Sequence, residues 1–187
     1  MATRRIGGTN DLAAWLIHQG SGEADGLDFE YVDREVWPAR TTGGVRFSDG
    51  RIASQATRLD LLLVDPQDRT PIVGEVKVRN DQHPFYALLQ LLMLAAQLAP
   101  PMQRERLREW YPERFDEREE RLDLLMLLSD NPARGLYRPR LLEIADGLSR
   151  RLLDYPVVAE RIRRIACVDA RLEGDRLSFV PRFVHGG

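Results

Sequence analysis

Lysine is nearly absent from this chain: of its 27 Lys and Arg side chains only Lys77 is lysine, which leaves 26 Arg. Cysteine is just as scarce. The single Cys167 permits no internal disulfide, and such usage fits a reducing compartment, so the cytoplasm is the expected location. No apolar run is long enough to span a membrane; the longest, Ala87 to Ala99, is interrupted by Gln90 and Gln97 and falls short of the length required. The segment Met1 to Gly8 has no apolar stretch after Arg4 and Arg5, so it does not resemble a signal peptide, and no membrane partner is expected. A net charge of −2 and a pI of 6.0 show none of the global basic excess that accompanies avid, non-specific nucleic-acid binding, although a local basic strip is compatible with both. No Pro/Gly/Ser-rich stretch divides the chain, and a single domain over residues 1–187 is expected.

What is present begins with a first helix. Thr9-Asn10-Asp11 offers caps, Leu12, Trp15 and Leu16 form an apolar stripe, and Gly20 is a stop signal. Leu27 to Val36 reads as a strand ending before Trp37-Pro38, and Val45 to Ala53 as a hairpin turning at Asp49-Gly50. Arg58 to Asp65 and Ile72 to Arg79 are two further strands separated by Pro66-Gln67-Asp68-Arg69. From Pro84, behind a cap at Asp81, the pattern becomes helical as far as Ala99 and stops at Pro100-Pro101. Met102 to Glu120 reads as a charged helix broken near Pro112, Leu122 to Leu128 as a buried strand before Asp130-Asn131-Pro132, and Leu141 to Leu153 as a helix. Ile162 to Leu172 and Arg176 to Val184 close the chain as a hairpin. The expected core order is therefore α-β-β-β-α-β, a mixed sheet flanked by helices, followed by a C-terminal helix and β-hairpin.

The residues that carry chemistry interrupt two of these strands. Arg58 to Asp65 is apolar on both faces apart from Asp60, and Ile72 to Val78 has the same character apart from Glu75 and Lys77, as expected for strands buried inside a sheet. A period of two puts Glu75 and Lys77 on one face. If Asp65 pairs with Thr70 across the turn, counting back five residues on each strand sets Asp60 opposite Glu75. Two carboxylates facing each other in an apolar setting are destabilising unless a positive charge lies between them. A divalent ion supplies that charge, and oxygen ligands from Asp60, Glu75 and the Val76 carbonyl suit Mg²⁺ or Mn²⁺. In a chain that uses Arg everywhere else, the one retained Lys suggests a task that the wide, planar guanidinium cannot perform. An ordinary cross-strand ion pair is the competing account, and it calls for polar neighbours at alternate positions, where this sequence has Leu62, Val64 and Val73.

The pattern Asp60, then Glu75-Val76-Lys77, resembles the signature of the PD-(D/E)XK nuclease superfamily, and the element order over Asp11 to Leu128 is similar to that family's core. The resemblance implies a restriction-endonuclease-like fold and a Mg²⁺- or Mn²⁺-dependent nuclease acting on nucleic acid, above all DNA. Asp60, Glu75 and Lys77 would be catalytic, with Asp60, Glu75 and Val76 holding the metal. It also implies a homodimer or a larger DNA-processing assembly as partners. Leu59 stands where the motif's name has proline. Many members take a further Glu from the first helix, where this chain offers Asp11, with Glu30 as an alternative from the next strand. A subgroup carries Gln and Tyr four apart on the helix after the lysine; here Tyr86 and Gln90 stand in reverse order, and Gln90 is the candidate from that helix. A second reading keeps the fold without turnover: a catalytically silent interaction or scaffolding module in a DNA-processing or defence assembly.

His18, His83 and His185 show no metal-ligand spacing, and Ser54 and Thr57 have no triad partner nearby. Cys167 lies in an apolar strand and reads as buried, while Trp15, Trp37 and Trp110 read as packing residues.

Overall fold

A computed structural model describes residues 6–36, 58–78, 83–116, 118–129 and 139–187. The hairpin expected over Val45–Ala53, the Asp81 cap, Trp37, Ser54, Thr57 and the Asp130-Asn131-Pro132 turn lie outside the described residues. Helix α1 (Thr9–Gln19) starts behind Gly8, with no side chain at its cap, and the Asp11 carboxylate instead accepts the Gly7 N–H at 2.7 Å. It ends at Gly20, whose φ of 80° is the left-handed geometry that spares glycine a side-chain clash. Strands β1 (Ser21–Ala24) and β2 (Leu27–Val36) pair about Asp25-Gly26. β1 was not expected, although Asp-Gly is a strong hairpin signal. Then come β3 (Leu59–Val64) and β4 (Pro71–Val78), helices α2 (Pro84–Leu98) and α3 (Pro101–Trp110), and β5 (Leu122–Ser129). Helices α4 (Pro139–Leu153) and α5 (Pro156–Ala159) lead to β6 (Ile162–Glu173) and β7 (Arg176–Gly186).

Among the described residues these strands form one seven-stranded sheet whose spatial order follows the chain. β1 to β4 are an antiparallel meander, β5 and β6 run parallel to β4, and β7 returns antiparallel. The protein is thus a mixed α/β fold with helices packed on the sheet. The two parallel crossovers explain the burial of β4 and β5 at every position, because helices cover such strands on both faces. On one face α2 packs Leu88, Leu91 and Leu94 against Leu62, Val73, Leu124 and Met126. On the other, α1 packs Leu12 and Leu16 against Leu61, Leu63, Ile72 and Val76. Among the described residues no single helix is long and apolar enough to cross a membrane, and the apolar stretch of α2 is accounted for by its place on the sheet.

The sheet coils until its two edges meet. The Gln19 amide donates to the carbonyls of Ser21 (3.0 Å) and Leu177 (3.1 Å) and accepts the Leu177 N–H (2.8 Å), standing in for a peptide group between β1 and β7. Phe29 meets Phe179 edge-to-face at 5.1 Å beside it, a favoured geometry for aromatic pairs.

Candidate active site

The β3–β4 register is the one the turn implies. Asp65 N–H donates to the Thr70 carbonyl at 3.0 Å, and pairing proceeds from Val64 with Pro71 to Leu61 with Gly74. There it stops, one step short of the expected Asp60–Glu75 pair. Gly74 brings the strands close at this point: a side chain in its place would put a Cβ 3.0 Å from that of Leu61. Beyond it the Val76 N–H, which a regular ladder would direct to the Leu59 carbonyl, donates to Asp60 Oδ2 at 2.9 Å. The Asp60 side chain therefore serves as the ladder's acceptor, and its carboxylate lies against the β4 backbone between Glu75 and Lys77.

Glu75 and Lys77 share the α2 face with Val73, while Val76 and Val78 face α1. Both charged side chains are buried, at 3% and 6% exposure, and the Lys77 ammonium donates to Glu75 Oε1 at 2.8 Å. Burial without partners would be prohibitive, and the close pair offsets much of that cost. The site thus joins Asp60, Glu75 and Lys77 through Val76. Two carboxylates and a peptide carbonyl are an all-oxygen donor set, which fits Mg²⁺ or Mn²⁺; such ions commonly take only one or two protein carboxylates, with water and substrate completing the shell. Among the described residues, no group of three or more His, Cys, Asp and Glu side chains converges to make a denser cage.

The other candidates are not brought together with these three. Asp11 is spent on the turn before α1, which packs on the opposite face of the sheet. Glu30 pairs with Val64, four residues along β3 from Asp60, or about 13 Å, and faces Arg114 at 4.0 Å. Gln90 is half-buried on α2. His83 caps α2, its Nδ1 accepting the Tyr86 N–H at 3.4 Å, and His185 bonds to Asp146 at 2.5 Å. Cys167 is buried as expected, and that burial pushes its thiol far above the usual range.

Two buried carboxylates escaped the sequence reading. Asp169 on β6, fully buried, lies in one lateral row with Lys77, since Lys77 pairs with Leu128 and Leu128 with Asp169. It binds the Arg182 guanidinium and stands 3.6 Å from that of Arg171. Asp123 on β5 lies at the other end of the sheet, bound by Arg163 through Nε (2.9 Å) and Nη2 (2.5 Å). Arg163 also reaches Asp65 at 2.9 Å and binds Asp68, while Arg164 stands 3.5 Å from Asp65. Burial raises the Asp123 carboxyl above its usual range despite these cations. Bonding to Asp123 in turn makes Arg163 still harder to deprotonate. The test that exposed Asp60, a charge interrupting an apolar strand, would also have marked Asp123 within 122–128 and Asp169 within 165–170.

No family model, curated protein or solved structure matches this chain.

Proposed function

We propose that the protein is a metal-dependent nuclease with a restriction-endonuclease-like fold, hydrolysing phosphodiester bonds in nucleic acid, DNA above all, with Mg²⁺ or Mn²⁺. The observation that carries this reading is the burial of the chain's only lysine against Glu75, with Asp60 drawn to the intervening Val76 N–H. Element order supports it as well: a helix, an antiparallel meander, a helix and a parallel strand. So does location, because Lys77 lies near the carboxyl end of β4 at a parallel crossover, where α/β sheets generally bind ligands.

Asp60, Glu75 and the Val76 carbonyl are the residues that would hold the ion. A divalent cation bound there supplies charge for the phosphodiester under attack and increases the acidity of water. Asp60 is fixed for its part by the Val76 N–H. The Lys77 ammonium, a compact donor held by Glu75, would neutralise charge growing on a phosphate oxygen. Ending the β3–β4 ladder at Gly74 frees the Asp60 carboxylate to approach β4 from the side.

The test is incubation of the purified chain with plasmid, single-stranded DNA and RNA in Mg²⁺ or Mn²⁺, beside Asp60→Asn and Glu75→Gln. Metal-dependent cleavage by the wild type, lost in both variants, is expected. Absence of cleavage of every substrate would favour the silent scaffolding module, for which the closed Glu75–Lys77 pair is the favourable observation.

A further inference from the structure

Strands β1 and β7 form the two edges of the sheet, and among the described residues they do not pair with each other. The direction of their backbone groups follows from register. Tyr31 donates to the Gly20 carbonyl and Gly22 stands opposite Phe29, so in this antiparallel pair the backbone groups of Ser21 and Glu23 point away from β2. On β7, Leu177 turns its N–H and carbonyl away from β6, to Gln19, and Phe179, two residues on in unbroken register, points the same way. Gln19 fills the seam at Ser21 and Leu177 with one amide bonded to both edges. The next outward-pointing pair, Glu23 and Phe179, lines a cleft of about 650 Å³ beside it. Pro181, the following outward position on β7, has no N–H and blunts the edge beyond.

We propose that this cleft is a peptide-binding site, taking a short extended segment of basic sequence that continues along the seam what the Gln19 amide begins. Such a segment would bond to Glu23 on one side and to Phe179 on the other, as peptides do when they add to an exposed sheet edge. Charge selects the occupant. Glu23, Asp28 and Glu30 line the cleft against a single guanidinium, that of Arg176. Glu23 and Asp28 stand directly opposite each other on β1 and β2, like charges that repel. Arg114 stands 4.0 Å from Glu30, whereas among the described residues Glu23 and Asp28 are in no ion pair. In a strand laid here alternate side chains project to the face that carries these carboxylates, so Arg or Lys at alternate positions meets them. The intervening positions face the Phe29 and Phe179 rings, which close beneath the seam because Gly22 has no Cβ to clash with them. Small apolar residues suit those positions. The assignment does not rest on the nuclease reading.

The test is fluorescence anisotropy of a labelled hexapeptide in which Arg and Val alternate, beside its Glu and Val counterpart and a form of the basic peptide N-methylated on its backbone. The basic peptide should bind and the acidic one should not. N-methylation removes the donors that pair with a sheet edge while keeping the charge, so it should abolish binding. Glu23→Gln/Asp28→Asn removes two facing carboxylates, which relieves repulsion in the free chain, and should weaken binding about tenfold. Hydrogen exchange should be slower at the Glu23 and Phe179 amides in the complex than in the free chain. Failure of the basic peptide to bind, equal binding of the acidic peptide, or undiminished binding by the double variant overturns the proposal. So does equal binding of the N-methylated peptide, or a complex that leaves both amides unprotected, since either result marks mere electrostatic attraction to the acidic rim.

Discussion

At the amino ends of β4, β5 and β6, charges are closed on one another: Arg163 is buried among Asp65, Asp68 and Asp123, and Arg164 stands beside them. Toward the carboxyl ends, Glu75 and Lys77 pair in the interior, Asp60 leans on a backbone N–H, and the arginines on Asp169 reach solvent. Both groups are buried ion clusters in an apolar sheet, and burial alone does not separate a strut from a site. What separates them is where the donors go. In the first cluster they are consumed by carboxylates that tie the β3–β4 turn to the starts of β5 and β6, whereas in the second the strand ladder itself gives way to accommodate Asp60. Replacing Arg163 by Met should therefore have the largest effect on stability. It leaves Asp123 and Asp65 buried with a large part of their positive charge removed, at an expected loss of about 3–5 kcal/mol, read from urea melts. Should Arg163→Met melt like the wild type, the strut account of this end fails.

The opposite end is challenged by exchanging the only lysine. Lys77→Arg keeps the charge and the pairing to Glu75 but places a wide planar group in a space 6% exposed. If Lys77 is only a counter-ion, cleavage should survive. If its ammonium must meet a phosphate oxygen, misplacement on the scale of an ångström should cost about a hundredfold in rate. Rates compared at matched melting temperature decide between these, and undiminished cleavage by the variant would leave this end as another strut.

Much of this contrast was legible in the residues, and the part that was not has physical causes. Asp60, Glu75 and Lys77 stood out because charge is costly in strands apolar on both faces, and the Pro66–Arg69 turn set their register to within one step. The missing step depends on Gly74 and on a carboxylate replacing a carbonyl, three-dimensional facts with no periodic signature. Strand β1 went unseen because at four residues it has too little pattern to show a period. Asp123 and Asp169 were visible by the same test as Asp60, but their arginines come from other strands, so their pairing is a property of the topology. Asp11, the acid that the first helix offers, lies apart from these three because α1 covers the other face of the sheet.

A smaller effect sharpens the comparison from the metal side. Mg²⁺ or Mn²⁺ binding to the native state should raise stability by about 1.4 kcal/mol at ten times its dissociation constant. Asp60→Asn should remove that response, and Arg163→Met should retain it whatever its starting stability. Calorimetric melts with and without metal check both. Equal metal-induced shifts in the wild type and Asp60→Asn would move the binding away from Asp60.

The smallest expected effect concerns pH at the closed end, where two carboxylates on the same arginine respond in opposite directions. Burial pushes the Asp68 carboxyl up, but Thr70, whose N–H donates to Oδ1 at 3.0 Å, and the Arg163 guanidinium more than offset it and hold the group below its ordinary range. A depressed folded value means that Asp68 contributes stability fully above the unfolded carboxylate pKa of about 3.9 and loses it as pH falls through the folded value. Asp123 is raised by burial, so its contribution has the opposite sign: greatest below the unfolded value and lost as pH rises through the folded one. Replacing Asp68 by Asn should therefore cost about 0.2–1 kcal/mol at neutral pH, as for a solvent-screened pair. The gap to the wild type should narrow steadily below pH about 4. Asp123→Asn should show the reverse trend: acidification brings Asp68→Asn toward the wild type but makes the wild type gain on Asp123→Asn. Urea midpoints of the three proteins along a pH series measure both trends, and parallel curves for all three would mean that neither carboxylate titrates differently in the folded chain.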